Sequence, residues 1–161
     1  GGLGRPDCAQ GLANSKLDVV CNARHGRCGE YGCVQGLLEW MQIPYTQSGV
    51  MSSAIAMDKE KSKEAYRAAG LPVAASLLAQ RNEIESRHVL EPPYVVKPYN
   101  EGSSVGVYIV QEAANGPPTL APDMPDELLV EDYVDGRELT GNIMGDRALT
   151  VHDTHTDSLY D

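Results

Sequence analysis

Between two apolar runs, Tyr94-Val95-Val96-Lys97-Pro98 and Val107-Tyr108-Ile109-Val110, the chain carries Asn100-Glu101-Gly102-Ser103-Ser104-Val105-Gly106. Consecutive small residues let backbone N–H groups approach an anion closely. Lys97, on the incoming run, could aim a charge at the same anion. The pattern GxxxxGK[ST] leading into a helix is absent, so such a loop would cover phosphates from above, as a flap. An ordinary flexible turn explains the same composition. Lys59 stands near the start of another element, where a lone lysine is most often a solvated surface charge. Glu131 and Glu138 flank the turn Asp135-Gly136. They could hold exocyclic amines or ribose hydroxyls, or solvate a strand edge. His25 and Glu30, on either side of a glycine turn, could pair so that the carboxylate orients the imidazole; a structural histidine is equally consistent.

Four cysteines, Cys8, Cys21, Cys28 and Cys33, form no CxxC pair. The spacing from Cys28 to Cys33 is too wide for the common zinc-knuckle pattern. Buried free thiols acting as small hydrophobes are the expectation, and no metal ligand set is assigned.

These residues need elements to position them. Residues 1–16 are glycine-rich and aperiodic, which predicts a loose lead-in. Residues 17–23 form a short apolar run fit for a buried strand. Val34, Leu37, Leu38 and Met41 recur at helical spacing over Tyr31 to Gln42, and Pro44 stops that helix. An Ala-rich helix follows around Ser52 and Ser53. Asp58 precedes a helix from Lys59 to Ala69, closed by Gly70 and Pro72. Strands are predicted at 71–79, 94–98, 107–110 and 128–134. Residues 80–91 read as charged and solvated, and the four prolines within 115–126 as a surface loop. Residues 138–144 and 148–154 form a hairpin about Gly145-Asp146. Strand, glycine turn and helix in alternation indicate an α/β protein.

The 161 residues hold 13 Lys+Arg against 23 Asp+Glu, a formal charge of −10. That balance argues against a nucleic-acid partner, which requires a basic face. It leaves room for a small anion held by a few local lysines. Nothing approaches the run of about 18 apolar residues that a membrane span needs, and a cytoplasmic protein is expected. Phenylalanine is absent beside eight tyrosines and one tryptophan.

Five stretches, in order, resemble the D-alanine–D-alanine ligases of the ATP-grasp family. They are HGRCGEYGCVQGLLEWMQIPYTQSGV at 25–50, SAIAMDKEKSK at 53–63, AGLPV at 69–73, VVKPYNEGSSVGV at 95–107 and ELLVEDYVDGREL at 127–139. The resemblance implies an α/β ATP-grasp fold with an α+β central lobe, incomplete at both ends. Residues 1–50 would be part of an amino-terminal lobe, 51–134 the central nucleotide lobe and 135–161 the start of a carboxy-terminal lobe. A three-domain enzyme at ~100 residues per domain needs ~300. By the same resemblance, His25 and Glu30 lie beside D-alanine. Lys59 and Lys97 contact the ATP phosphates, and Glu101, Gly102, Ser103 and Ser104 form the flap, whose two serines belong to the catalytic set. Glu131 takes the adenine amino group, the backbone of Asp132 and Val134 reads the ring edge, and Glu138 binds the ribose.

The implied activity is ATP-dependent joining of two D-alanine molecules through an acyl phosphate, for peptidoglycan precursors. A homodimer is open to the complete enzyme, and the Mg²⁺ ligands are expected beyond residue 161. The alternatives are a non-catalytic nucleotide-binding fragment or another ATP-grasp carboxylate–amine ligase, and little turnover is expected from this chain alone. The family pattern is also departed from: Tyr31 stands where Asp is usual, and Cys21, Cys28, Tyr66 and Tyr160 stand where Phe is expected. Those four exchanges predict a loosened core.

Overall fold

A computed structural model describes residues 7–23, 27–102 and 106–154. Helices α1 (Asp7–Asn14), α2 (Arg27–Glu30), α3 (Cys33–Trp40), α4 (Val50–Met57) and α5 (Lys59–Ala68) precede strand β1 (Ser76–Gln80). Helix α6 (Arg81–Ser86) and strands β2 (Tyr94–Lys97), β3 (Tyr108–Val110), β4 (Glu127–Asp132), β5 (Glu138–Met144) and β6 (Arg147–Thr154) follow. Strands β1 to β4 make one antiparallel sheet in the order β1-β4-β2-β3, and β5-β6 is a separate hairpin.

The four-stranded sheet sorts its side chains by the two-residue period of a strand. Tyr94, Val96, Val110, Leu128 and Val130 point to one face and are buried with Ala79, Ile84, Leu120 and Met124. On the other face Val95, Lys97, Ile109 and Glu131 line an open cavity. The sheet therefore divides core from cleft, and the register that places Val95 opposite Glu131 fixes which charged groups meet.

Three expectations from the sequence need correction here. Residues 80–91 are not simply solvated: α6 lies within them and buries Ile84 completely. The Arg81 side chain donates to the carbonyls of Leu120 (3.2 Å), Pro122 (3.0 Å) and Met124 (3.3 Å), and Glu85 accepts from the Leu120 amide at 3.1 Å. The polar residues of α6 thus strap down the proline-rich loop, which plugs the core with Leu120 and Met124. Ile84→Ala is expected to lower unfolding free energy by about 3 kcal/mol, the cost of a large-to-small core exchange; a urea titration measures it.

The lead-in is helical over Asp7–Asn14. Ala9, Gln10, Leu12 and Ala13 are favourable enough for a helix to outweigh Gly11, and the Ser15 hydroxyl donates to the Gly11 carbonyl at 2.7 Å. The apolar run 17–23 forms only a bridge, Val20 with Tyr45 in parallel, and leaves Leu17 and Val19 exposed. Among the described residues no second strand covers it.

The sulfur and aromatic expectations change as well. Cys21 and Cys33 are free and exposed rather than buried; the side chains of Cys8 and Cys28 lie outside the described ones. Tyr66 is half exposed. The exchanges at Cys21 and Tyr66 therefore fall at the surface, where neither removes core volume, and Tyr160 lies outside the described residues.

Around α5 the sequence signals hold. The Asp58 carboxylate accepts from the Lys61 amide at 3.0 Å as the N-cap. Gly70, with φ +75°, takes the left-handed turn that ends the helix. Gly32, φ +84°, is required for a second reason: a Cβ there would stand 2.6 Å from the Val50 carbonyl oxygen. Gly32 thereby lets α3 pack against α4. The β5–β6 hairpin forms about Gly145-Asp146 as expected, with a register irregularity at Asn142/Ile143, next to Gly141. Its residues are all exposed, including Leu139, Ile143, Met144, Leu149 and Val151.

Candidate active site

The cleft face of the sheet, the start of α5 and the segment after β4 enclose a cavity of about 640 Å³. Its lining includes Lys59, Lys97, Glu101, Gly102, Glu131, Asp132, Val134 and Glu138. Eight residues separated by up to 79 positions in sequence thus share one space, with Ala56, Met57, Val95, Val107 and Ile109 supplying apolar walls. A concave site with apolar walls and a few convergent charges is the usual form of a small-molecule site.

Each charged group arrives by an identifiable element. Lys59 begins α5, where its amide donates to the Tyr99 carbonyl at 2.8 Å and its Nζ to the Glu101 carbonyl at 2.5 Å. Helix α5 is thereby tied to the segment entering the glycine-serine loop. Lys97 ends β2 on its cleft face, and its ammonium pairs with Glu131 Oε1 from the neighbouring strand. Glu131 Oε2 lies 2.6 Å from the Nζ of Lys63, which also donates to the Ala74 carbonyl at 3.0 Å. Two lysines therefore hold one carboxylate, and Lys59 stands in the same cavity as Lys97. Lys59 and Lys97 thereby bring positive charge into the cavity of a chain whose total is −10.

The environment alters two of these groups. Burial disfavours the charged form of Lys59, and the nearby Lys97 charge adds to that. Together they outweigh the attraction of Glu131, Glu101 and Asp58, so the ammonium is held below its ordinary value of 10.5. Burial alone would raise the Glu131 carboxyl. Hydrogen bonds from Lys63 and Lys97, with their charges, overcome it and hold the carboxyl below 4.5.

Glu30 approaches the same region from the amino-terminal side. Its Oε2 lies 3.8 Å from where a Cβ on Gly102 would stand, and the neighbouring Tyr31 hydroxyl donates to the Asn100 carbonyl. The Gly29 carbonyl that precedes Glu30 accepts from buried Asn22 (2.9 Å) and Gln35 (3.2 Å). His25, Ser103 and Ser104 lie outside the described residues. At the far rim, Asp132 donates its amide to the Ala75 carbonyl at 3.0 Å. Val134 is exposed there, and Glu138 opens β5. Lys63 was not among the sequence candidates. Its only signal is the four-residue spacing from Lys59, which puts both on one helix face. In the run KEKSKE it is indistinguishable from solvated charge.

Antiparallel strands whose cleft face carries Lys97 and Glu131, with the start of α5 and the Glu101-Gly102 segment beside them, define an α/β ATP-grasp arrangement. The family model for the D-ala D-ala ligase C-terminus matches residues 65–160. The chain belongs to the D-alanine–D-alanine ligase family. It is 70% identical over 155 residues to a D-alanine–D-alanine ligase of Ruegeria pomeroyi, covering 96% of this chain and 51% of that protein. To one from Cereibacter sphaeroides it is 64% identical, covering 97% and 51%. Among solved structures it is similar to the D-alanine–D-alanine ligase of Bacillus anthracis, with a TM-score of 0.73 and 30% identity over 99% of this chain and 54% of that one. The ATP complex of the Bacillus anthracis enzyme gives 0.71 and 28%, over 96% and 53%. The chain spans about half the length of the curated relatives it matches.

Proposed function

We propose that the chain forms the nucleotide-holding part of an ATP-dependent D-alanine–D-alanine ligase that makes a peptidoglycan precursor in the cytoplasm. The observation that carries this reading is the convergence of Lys59, Lys97 and the Glu101-Gly102 segment on one cavity. Phosphoryl transfer asks little covalent work of a protein; it asks for positioning and for positive charge where the transferring group develops negative charge. Lys59 and Lys97 hold that charge, and the resemblance to the family assigns Ser103 and Ser104 to the flap that covers the phosphates. The adenine amino group lies against Glu131, whose oxygens keep lone pairs beyond those the lysines use. The backbone at Asp132 and Val134 borders the ring, and Glu138 takes the ribose hydroxyls.

Glu30, with His25, faces the D-alanine whose carboxylate is phosphorylated. The amine of a second D-alanine then attacks the acyl phosphate, forms the amide bond and expels phosphate. The three lobes proposed from the sequence, 1–50, 51–134 and 135–161, assign most of the cavity to the central one, with Gly136, Arg137 and Glu138 contributed by the third.

Mg²⁺ accompanies the nucleotide in this reading. Among the described residues, however, no group of three or more Asp, Glu, His or Cys side chains is placed to hold a metal. These residues do not fit the ion. Among the same residues no helix is long and apolar enough to cross a membrane.

The test is thermal. ATP at about ten times its Kd adds about 1.4 kcal/mol to the folded state, which raises the Tm by about 3–6 °C in a chain of this size. D-alanine-dependent ADP release by this chain is expected to be negligible. No shift at millimolar ATP would remove the nucleotide reading, and strong turnover would refute the division of labour proposed here.

A further inference from the structure

Lys63 is buried at 9% exposure, yet it does not line the cavity. Its ammonium lies 2.6 Å from Glu131 Oε2 and 3.0 Å from the Ala74 carbonyl oxygen. Glu131 Oε1 meanwhile pairs with Lys97, which does line the cavity. One carboxylate therefore bridges two ammonium groups, one of a residue that lines the cleft and one of a residue that does not.

That geometry sets a condition on Lys97. To meet a phosphate, its ammonium must leave or share Glu131. Were Glu131 otherwise alone in its largely buried position, departure of Lys97 would strand an uncompensated carboxylate, which is costly. Lys63 removes that cost by keeping a counter-charge and a hydrogen bond on Glu131 throughout. We propose that Lys63 is a positioning residue that neutralises Glu131 so that Lys97 can exchange its carboxylate for a nucleotide phosphate. This rests on the nucleotide reading above and adds a residue that touches neither nucleotide nor substrate.

The experiment measures ATP and adenosine affinity by calorimetry in the unmodified chain, Lys63→Met, Lys63→Arg and the double variant Lys63→Met/Glu131→Gln. Lys63→Met is expected to lower ATP affinity by about tenfold, the scale of one charge-assisted contact, while adenosine affinity stays within about twofold. Lys63→Arg restores most of the loss. The double variant regains ATP affinity relative to Lys63→Met, because the carboxylate that detains Lys97 is gone. A purely structural Lys63 would instead lose ATP and adenosine together, with no recovery in the double variant.

Unchanged ATP affinity in Lys63→Met overturns the inference while leaving the nucleotide reading intact. An unmodified chain that binds no ATP overturns both. Should Lys63→Met fail to fold, ammonium NMR of the unmodified chain decides. ATP is expected to move the Lys97 Nζ resonance and leave that of Lys63 in place, and the reverse pattern or equal movement contradicts the inference.

Discussion

Glu131→Ala is expected to cost about 3–5 kcal/mol of unfolding free energy, the penalty for removing one partner of a buried ion pair. The magnitude follows from what remains: Lys63 and Lys97 would face each other with no carboxylate between them, and Lys63 has little access to water. Against a typical total of about 5–15 kcal/mol, that loss takes much of the stability. Its pH dependence has a definite sign. Because the folded carboxyl is held below its unfolded value of 4.5, its contribution is present above that value and disappears as pH falls through the lower folded one. Urea titrations at about pH 7 and about pH 3 should show the variant losing less stability on acidification than the unmodified chain. Equal losses would mean that Glu131 is not the acid-labile contact.

Lys97→Ala is expected to weaken ATP binding by about 10- to 100-fold, the range of one hydrogen bond to a charged group. Lys59→Ala should fall in the same range, since its ammonium shares the cavity. Lys59 also gives the binding a basic limb. Its charged form is disfavoured by burial and by Lys97, so ATP affinity should decline with rising pH before 10.5 is reached. Lys59→Arg, which stays protonated, should remove that decline even if its affinity is lower at neutral pH. Calorimetric titration across pH checks both statements; a pH-independent affinity in the unmodified chain would show that Lys59 does not hold the phosphates.

Much of this site was legible before any coordinates, for physical reasons. Asp58 and Gly70 are local capping signals, so α5 and the position of Lys59 followed from neighbours in sequence. The run Tyr94 to Pro98 read as a strand with Lys97 on it, but which face Lys97 takes came only with the register against β4. Convergence of Lys59, Lys97, Glu131 and Glu138 was a matter of sheet order, which spacing does not encode, and only the resemblance to a family supplied it. Lys63 stayed hidden because burial of a charge depends on a partner 68 positions away, Glu131. Ile84 stayed hidden because one apolar residue in a charged stretch has no period. Cys21 and Tyr66 were misjudged for the opposite reason: residue type for the cysteine, and the phenylalanine expected from the resemblance for Tyr66, suggested burial, whereas tertiary context left both at the surface.

The amide spectrum of the chain titrated with ATP tests the central claim most directly. The account predicts saturable shifts confined to residues around the cavity, including Lys59, Lys97, Gly102, Val134 and Glu138, and their loss in Lys97→Ala. Shifts centred on the β5–β6 hairpin, or a spectrum indifferent to millimolar ATP, would contradict it.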